Sequence, residues 1–147
     1  MDKEFLHHSY IHHTQIIKNM VSAITHGIKV TVETEYQPQY SNPSHAHFVF
    51  SYRIKIENES EYTVKLLHRH WIIVDTNGLE RQVSGEGVVG QQPIIEPGQS
   101  HEYSSGCNFN TSIGKMKGSY TMERVFDGKK FNVAVPDFTM TVPYRLN

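Results

Sequence analysis

Two stretches of strict alternation constrain this chain more than any other feature. In HGIKVTVETEY, residues Ile28, Val30, Val32 and Tyr36 fall on one side, while Lys29, Thr31, Glu33 and Glu35 fall on the other. HFVFSYRIKIEN repeats the pattern, with Phe48, Phe50, Tyr52, Ile54 and Ile56 set against Ser51, Arg53, Lys55 and Glu57. A period of two cannot present one apolar face on a helix; it marks half-buried antiparallel strands. The intervening QPQYSNPS reads as a loop by its Pro, Asn and Ser content.

The rest of the chain continues in the same style. TVKLLHRHWIIVD is apolar on both faces toward its end, which predicts a central strand, and Thr76-Asn77-Gly78 predicts a hairpin turn into LERQV. SHEYSSGCNF, GSYTMERVF and KKFNVAVPDFTMTVPY complete the set, with a second hairpin turn at Asp127-Gly128. The expected fold is all-β: an immunoglobulin- or fibronectin-type-III-like sandwich of about seven antiparallel strands. At 147 residues the chain fits one domain, burying roughly 70% of its unfolded surface.

Residues 1–24 differ. They contain no Gly or Pro, and Phe5, Leu6, Ile11, Ile16, Ile17 and Met20 have loose helical spacing. The reading is a short helix or an extended arm, with the sandwich running from residue 25 to 147. Four of the ten histidines, His7, His8, His12 and His13, lie in this arm. On a helix His8 and His12 would share a face, but only Asp2 and Glu4 are near, so adventitious metal binding is expected rather than a resident metal.

Bulk properties narrow the function classes. The net charge is −1 with basic and acidic residues interspersed, which gives no electrostatic footprint for nucleic acid. No run approaches the ~20 apolar residues of a membrane-spanning helix, so no membrane role is expected. Cys107 is the only cysteine, which precludes an intrachain disulfide and suits a cytoplasmic location. No secretory signal is apparent at the N-terminus.

Residues 85–90 read GEGVVG, the spacing of the dinucleotide fingerprint. That mechanism needs a helix N-terminus to meet the pyrophosphate, and Pro93 and Pro97 forbid a helix immediately after the motif. Two readings stay open. The glycines supply positive-φ turns at the sandwich rim, or successive backbone N–H groups form an anion-binding nest without a helix. In the second, Arg69 or His70 completes a pocket with Gly85, Gly87 and Gly90. Val88 and Val89 would form a hydrophobic lip for a partner.

If Val64, Leu66, Ile72 and Val74 form the core face of the central strand, His68 and His70 point inward near its end as core or rim histidines, with Arg69 and Trp71 on the other face. A tryptophan here is nonetheless more often a sandwich core residue than a ligand-stacking platform. His45 and His47 flank a loop at the surface. Nothing assembles into a catalytic set. Cys107 has no neighbouring base, Ser104-Ser105-Gly106 is not a nucleophile elbow, and Glu86, Glu96, Glu102 and Glu123 fall on solvent faces or loops.

LLHRHWIIVDTNG, VSGEGVVGQQPIIEPG, YSSGC, GKMKGSYTM and FNVAVPDFTM, in this order and at these separations, closely resemble the ApaG family, from about Thr25 to Met140. The family pattern falls on Arg69, His70 and Trp71, on Gly85, Gly87 and Gly90, and on Pro93, Pro97 and Gly98. It also covers Ser105, Gly106, Gly114, Met116, Gly118 and Tyr120. The resemblance implies a fibronectin-III-like sandwich. In bacteria the family is a free-standing protein encoded near a diadenosine tetraphosphate hydrolase. In eukaryotes the domain is appended to an F-box protein and to a polymerase-delta-interacting protein. It is also linked to cobalt and magnesium resistance. Related chains begin close to Met20-Val21, so residues 1–19 are expected to be an added segment, with Met20 as a native start or the extension peculiar to this chain.

The expectation is a non-catalytic binding or adaptor module without a cofactor, acting on an unidentified protein partner, with an edge-strand homodimer as a further possibility. The alternatives are a sensor of pyrophosphate or a dinucleoside polyphosphate at the Gly85–Gly90 loop, and a role in divalent-cation handling.

Overall fold

The computed structural model describes residues 20–143. Nine strands are formed among them: β1 (Met20–Thr25), β2 (Ile28–Tyr36), β3 (Phe48–Asn58), β4 (Val64–Asp75), β5 (Glu80–Glu86), β6 (Ile94–Ile95), β7 (Ser100–Phe109), β8 (Ile113–Arg124) and β9 (Lys130–Thr141). They build two antiparallel sheets, one in the order β1-β2-β3-β7 and the other β5-β4-β8-β9, with β6 extending the β5 edge by pairing to β4. The chain is therefore a β-sandwich, as the alternation predicts. Short 3-10 turns at Pro38–Tyr40 and Pro43–His45 shape the β2–β3 connection.

The inner faces of β2 and β3 are those read from the sequence. Ile28, Val30, Val32, Phe50, Ile54 and Ile56 are at most 1% exposed. Facing them, Trp71 lies at the centre of an aromatic cluster, with ring centroids 5.9 Å from Tyr52, 6.2 Å from Tyr120 and 6.1 Å from Phe138. Edge-to-face geometry of this kind adds to area burial. Gly118 makes room for it: a Cβ there would sit 2.4 Å from the His70 carbonyl oxygen and 2.6 Å from the indole.

Both expected hairpin turns are present, with Gly78 at φ 89° and Gly128 at φ 71°. The strand count exceeds the expected seven through β1 and the two-residue β6. Residues 20–24, assigned to the N-terminal arm on sequence grounds, instead form most of β1, paired from Met20↔Glu33 to Thr25↔Ile28. A tight two-residue turn at His26 (φ 50°) and Gly27 (φ 76°) reverses the chain into β2. As an edge strand β1 is largely exposed, so no alternation betrays it. Residues 1–19, with the arm histidines and the question of a native start, lie outside the described residues.

The largest departure is in β4. Its ladder with β8 pairs Leu66 with Met122 and then His68 with Thr121, so Leu67 is an extra, bulged residue. Beyond the bulge every side chain changes face. Trp71 and Ile73 are buried at 3% and 6% exposure, Arg69 shares their inner face, and His68 and His70 point outward. The unbroken alternation that would turn His68 and His70 inward is thus overturned by one residue, and Trp71 is the core residue expected of a sandwich tryptophan.

Candidate functional site

Arg69 enters the space between the sheets because of the Leu67 bulge, and Gly85 opposite it on β5 leaves room for the guanidinium. A Cβ on Gly85 would lie 2.8 Å from Nη2 and 2.9 Å from both Cζ and Nη1. From this seat Nη1 donates to the carbonyls of Glu86 at 3.1 Å and Gly87 at 3.0 Å. The structure therefore brings Arg69, Gly85 and Gly87 together. His70 is on the opposite face, where Nδ1 meets the Ser84 hydroxyl at 2.6 Å.

The glycine loop is held by the same bulge. The Leu67 carbonyl accepts from the Gly87 N–H at 2.8 Å and from Gln92 Nε2 at 3.0 Å. The Val88 N–H donates to Gln91 O at 2.8 Å, and the Gln91 N–H returns to Val88 O at 3.0 Å. A Cβ at Gly87 (φ 65°) would fall 2.2 Å from Gln91 O, so only glycine fits. Two donors that an anion nest would need are thus committed within the chain. The valines divide: Val88 is 1% exposed and part of the core, whereas Val89 is 62% exposed and held at φ 46°. Gly90 also has positive φ, 76°, with open space around it.

Between the two sheets, on the flank where β5 and β7 end them, lies a cleft of about 220 Å³. Tyr52, Arg69, Trp71 and Met116 line its depth, Arg81 and Val83 one wall, and Ser105 and Cys107 the other. Arg81 spans the mouth, with Nη2 donating to the Asn108 carbonyl and lying 3.5 Å from Cys107 Sγ. Among the described residues neither Arg69 nor Arg81 pairs with a carboxylate. Asp75 lies beyond Arg81 in an adjoining cavity, its Oδ2 receiving the Asn110 N–H at 3.4 Å.

The protonation chemistry is conservative. Burial pushes the Cys107 thiol up to about 11, with Arg81 opposing the shift. Tyr103 and Tyr120, joined by a hydrogen bond between their hydroxyls, are both raised by burial, and so is Tyr52. These groups stay protonated at neutral pH and supply no base or thiolate nucleophile. What the cleft offers is two cations in a partly dehydrated, aromatic-floored space. Arg81 and Tyr103 were not singled out from the sequence. The only signal was their place on alternating strands whose partner strands were unknown.

Among the described residues no three His, Cys, Asp or Glu side chains gather as a metal site, and no helix is long and apolar enough to cross a membrane.

The comparisons agree with this architecture. The family profile described as the ApaG domain matches residues 38–124. Protein ApaG of Sinorhizobium fredii is 48% identical over 124 residues, spanning 84% of this chain and 95% of that protein. Protein ApaG of Anaeromyxobacter dehalogenans is 45% identical over 128 residues, 87% of this chain and all of that one. The crystal structure of the ApaA protein of Bordetella pertussis superposes with a TM-score of 0.77 at 39% identity, covering 79% of this chain and 94% of that one. With its sandwich, its glycine-seated arginine and these relatives, the chain belongs to the ApaG domain family.

Proposed function

We propose that this chain is a non-catalytic binding module that docks a protein partner on the flank made by β5, the 86–91 loop and β7. The observation that carries the reading is Val89. A β-branched residue in the left-handed region is a strained outlier, costing on the order of 1–3 kcal/mol. Yet Val89 is 62% exposed, so the fold gains little packing in return. A hydrophobic side chain held out at such a cost is accounted for by a contact beyond the chain. The protonated state of Cys107 and the tyrosines fits a site that holds rather than transforms. A pyrophosphate or dinucleoside polyphosphate site at Gly85–Gly90 is weaker, because the Gly87 and Val88 N–H groups are already spent.

The test is affinity capture with the wild-type chain and with Val89→Asn, which relieves the strain and removes the apolar contact. A partner recovered by the first and lost by the second, while thermal stability rises, is the expected result. Recovery of nothing above control, together with turnover of diadenosine tetraphosphate by the purified protein, would overturn the reading.

A further inference from the structure

Sandwich edges are normally protected against adding strands, and among the described residues the two flanks differ in how far they are protected. On the first flank β1 and β9 lie against each other, with the Ala134 N–H donating to Thr25 Oγ1 at 3.2 Å. There β9 also carries Pro136 inside a register shift against β8. On the second flank β5 and β7 end their sheets, and their sequences, ERQVSGE and SHEYSSGCNF, contain neither Lys nor Pro.

The ladder fixes which backbone groups face outward. Gln99 O accepts from Asn58 N, which places odd-numbered residues of β7 toward β3. In an antiparallel strand the direction alternates, so Glu102, Ser104 and Gly106 present N–H and C=O to the free edge. Their odd-numbered neighbours Tyr103, Ser105 and Cys107 turn side chains inward, toward Arg69 and Arg81.

From this placement we infer that the flank takes an extended acidic peptide segment of a partner: its backbone pairs with the free edge of β7, and an Asp or Glu side chain enters the cleft between Arg69 and Arg81. The inference rests on the binding-module reading and names the chemistry of the partner. An added strand lies about 4.8 Å from β7 and sends alternate side chains to the inner side. The cleft has room for one carboxylate side chain. Only Nη1 of Arg69 is engaged among the described residues, leaving further guanidinium donors for a carboxylate. Of the nearby acids, Glu102 is on the outer face with Arg53 at 3.0 Å and Glu86 is on the outer face of β5 with Gln92, while Asp75 is on the inner side and shares the adjoining cavity with Arg81 without an ion pair to it. Ser104 and Gly106 leave the edge unobstructed by bulk.

The experiment is a 15N NMR titration of the full chain with a pool of acetylated, amidated heptapeptides. Glu is fixed at the centre, and Val, Thr, Ser and Ala vary around it. Saturable shifts are expected at the amides of Glu102, Ser104 and Gly106 and at the side chains of Arg69 and Arg81. A pool with Gln at the centre should bind about fivefold more weakly, the value of one partly exposed charge pair. Ser104→Pro should abolish the response while keeping the spectrum of the fold, because the N–H it removes faces away from β3. Absence of shifts along β7, or an equal response to the Gln pool, would overturn the proposal. So would reproduction of the arginine shifts by sodium phosphate without any change at β7, which would indicate a small-anion site. If Ser104→Pro still captures the partner as wild type does, the peptide site falls while the binding-module reading stands.

Discussion

Replacing Asn58 with alanine removes an amide that is 1% exposed and uses its full hydrogen-bonding capacity. Nδ2 donates to Tyr62 O at 2.7 Å and Ile95 O at 2.9 Å, while Oδ1 accepts from Ser60 N at 3.0 Å and Ser60 Oγ at 2.6 Å. These bonds tie the end of β3 to the 59–63 loop and to β6, which belongs to the other sheet. Three of the partners, on Ser60 and Tyr62, lie where water can replace the amide, so each loss costs about 0.5–1 kcal/mol. The Ile95 carbonyl, on a residue 2% exposed, keeps its ladder bond from the Val64 N–H, so loss of the amide there costs a similar amount. The expected total is about 2–4 kcal/mol, or a melting temperature lower by roughly 5–15 °C for a domain of this size. Urea denaturation should show a lower midpoint with an unchanged slope, the mark of lost stability without a changed unfolded state. Asn58→Asp keeps the Ser60 contacts but sets a carboxylate against two carbonyls. That raises its folded pKa, so this variant should become more stable as pH falls from above toward the ordinary carboxyl range, where the gain is complete. A cost for Asn58→Ala below about 1 kcal/mol would refute the reasoning, since it would mean that the four bonds of this amide are replaced by water without loss.

Other outcomes follow from single features. Val89→Asn should stabilise the chain by about 1 kcal/mol in the same urea assay, because Asn tolerates the left-handed conformation; no gain would mean that Val89 is unstrained. Gly118→Ala should cost about 3 kcal/mol or more, since backbone and indole both stand within reach of the new methyl. A normal melt would show that Trp71 can shift. Cys107, held at about 11 against an ordinary 9.0, should react with a disulfide reagent at pH 8 about a hundredfold more slowly than a free thiol. Its folded pKa lies above the unfolded one, so its contribution to stability is complete below about 9 and lost as pH rises toward about 11. Labelling at the free-thiol rate would contradict the burial.

The inner faces of β2 and β3 were legible because both strands lie inside their sheet with one face in the core, so side-chain period and burial coincide. β1 was illegible for the opposite reason: an edge strand exposed on most positions has no pattern to show, and its identity rests on a turn at His26-Gly27 and on pairing with β2. The GEGVVG loop was legible as a shape, since Gly87 needs its positive φ. It was not legible as a set of committed donors, because the Gly87 N–H goes to the Leu67 carbonyl, about twenty residues away along the chain, and the Val88 N–H to Gln91 O across a turn that no residue pattern announces. Alternation could not place Arg69 and its neighbours, although tryptophan's usual place in a sandwich pointed Trp71 to the core. Strict alternation carried across TVKLLHRHWIIVD gives a coherent core of Val64, Leu66, Ile72 and Val74, and the bulge that defeats it is fixed by register against β8.

That bulge makes the composition of the cleft a matter of counting. Pairing Leu67 into the ladder instead of bulging it would make everything from His68 to the end of β4 trade sides without any residue being altered, whereas deleting Leu67 would restore the unbroken period with Arg69 and Trp71 still inside. In the unbulged pairing the two histidines would take the places of arginine and tryptophan, while a deletion would cost the glycine loop the carbonyl that holds it. Among relatives, a one-residue gap between Leu66 and Arg69 would therefore keep the cleft's inner face and unseat the loop beside it. An alignment that slides across it would assign the cleft to the wrong half of the strand.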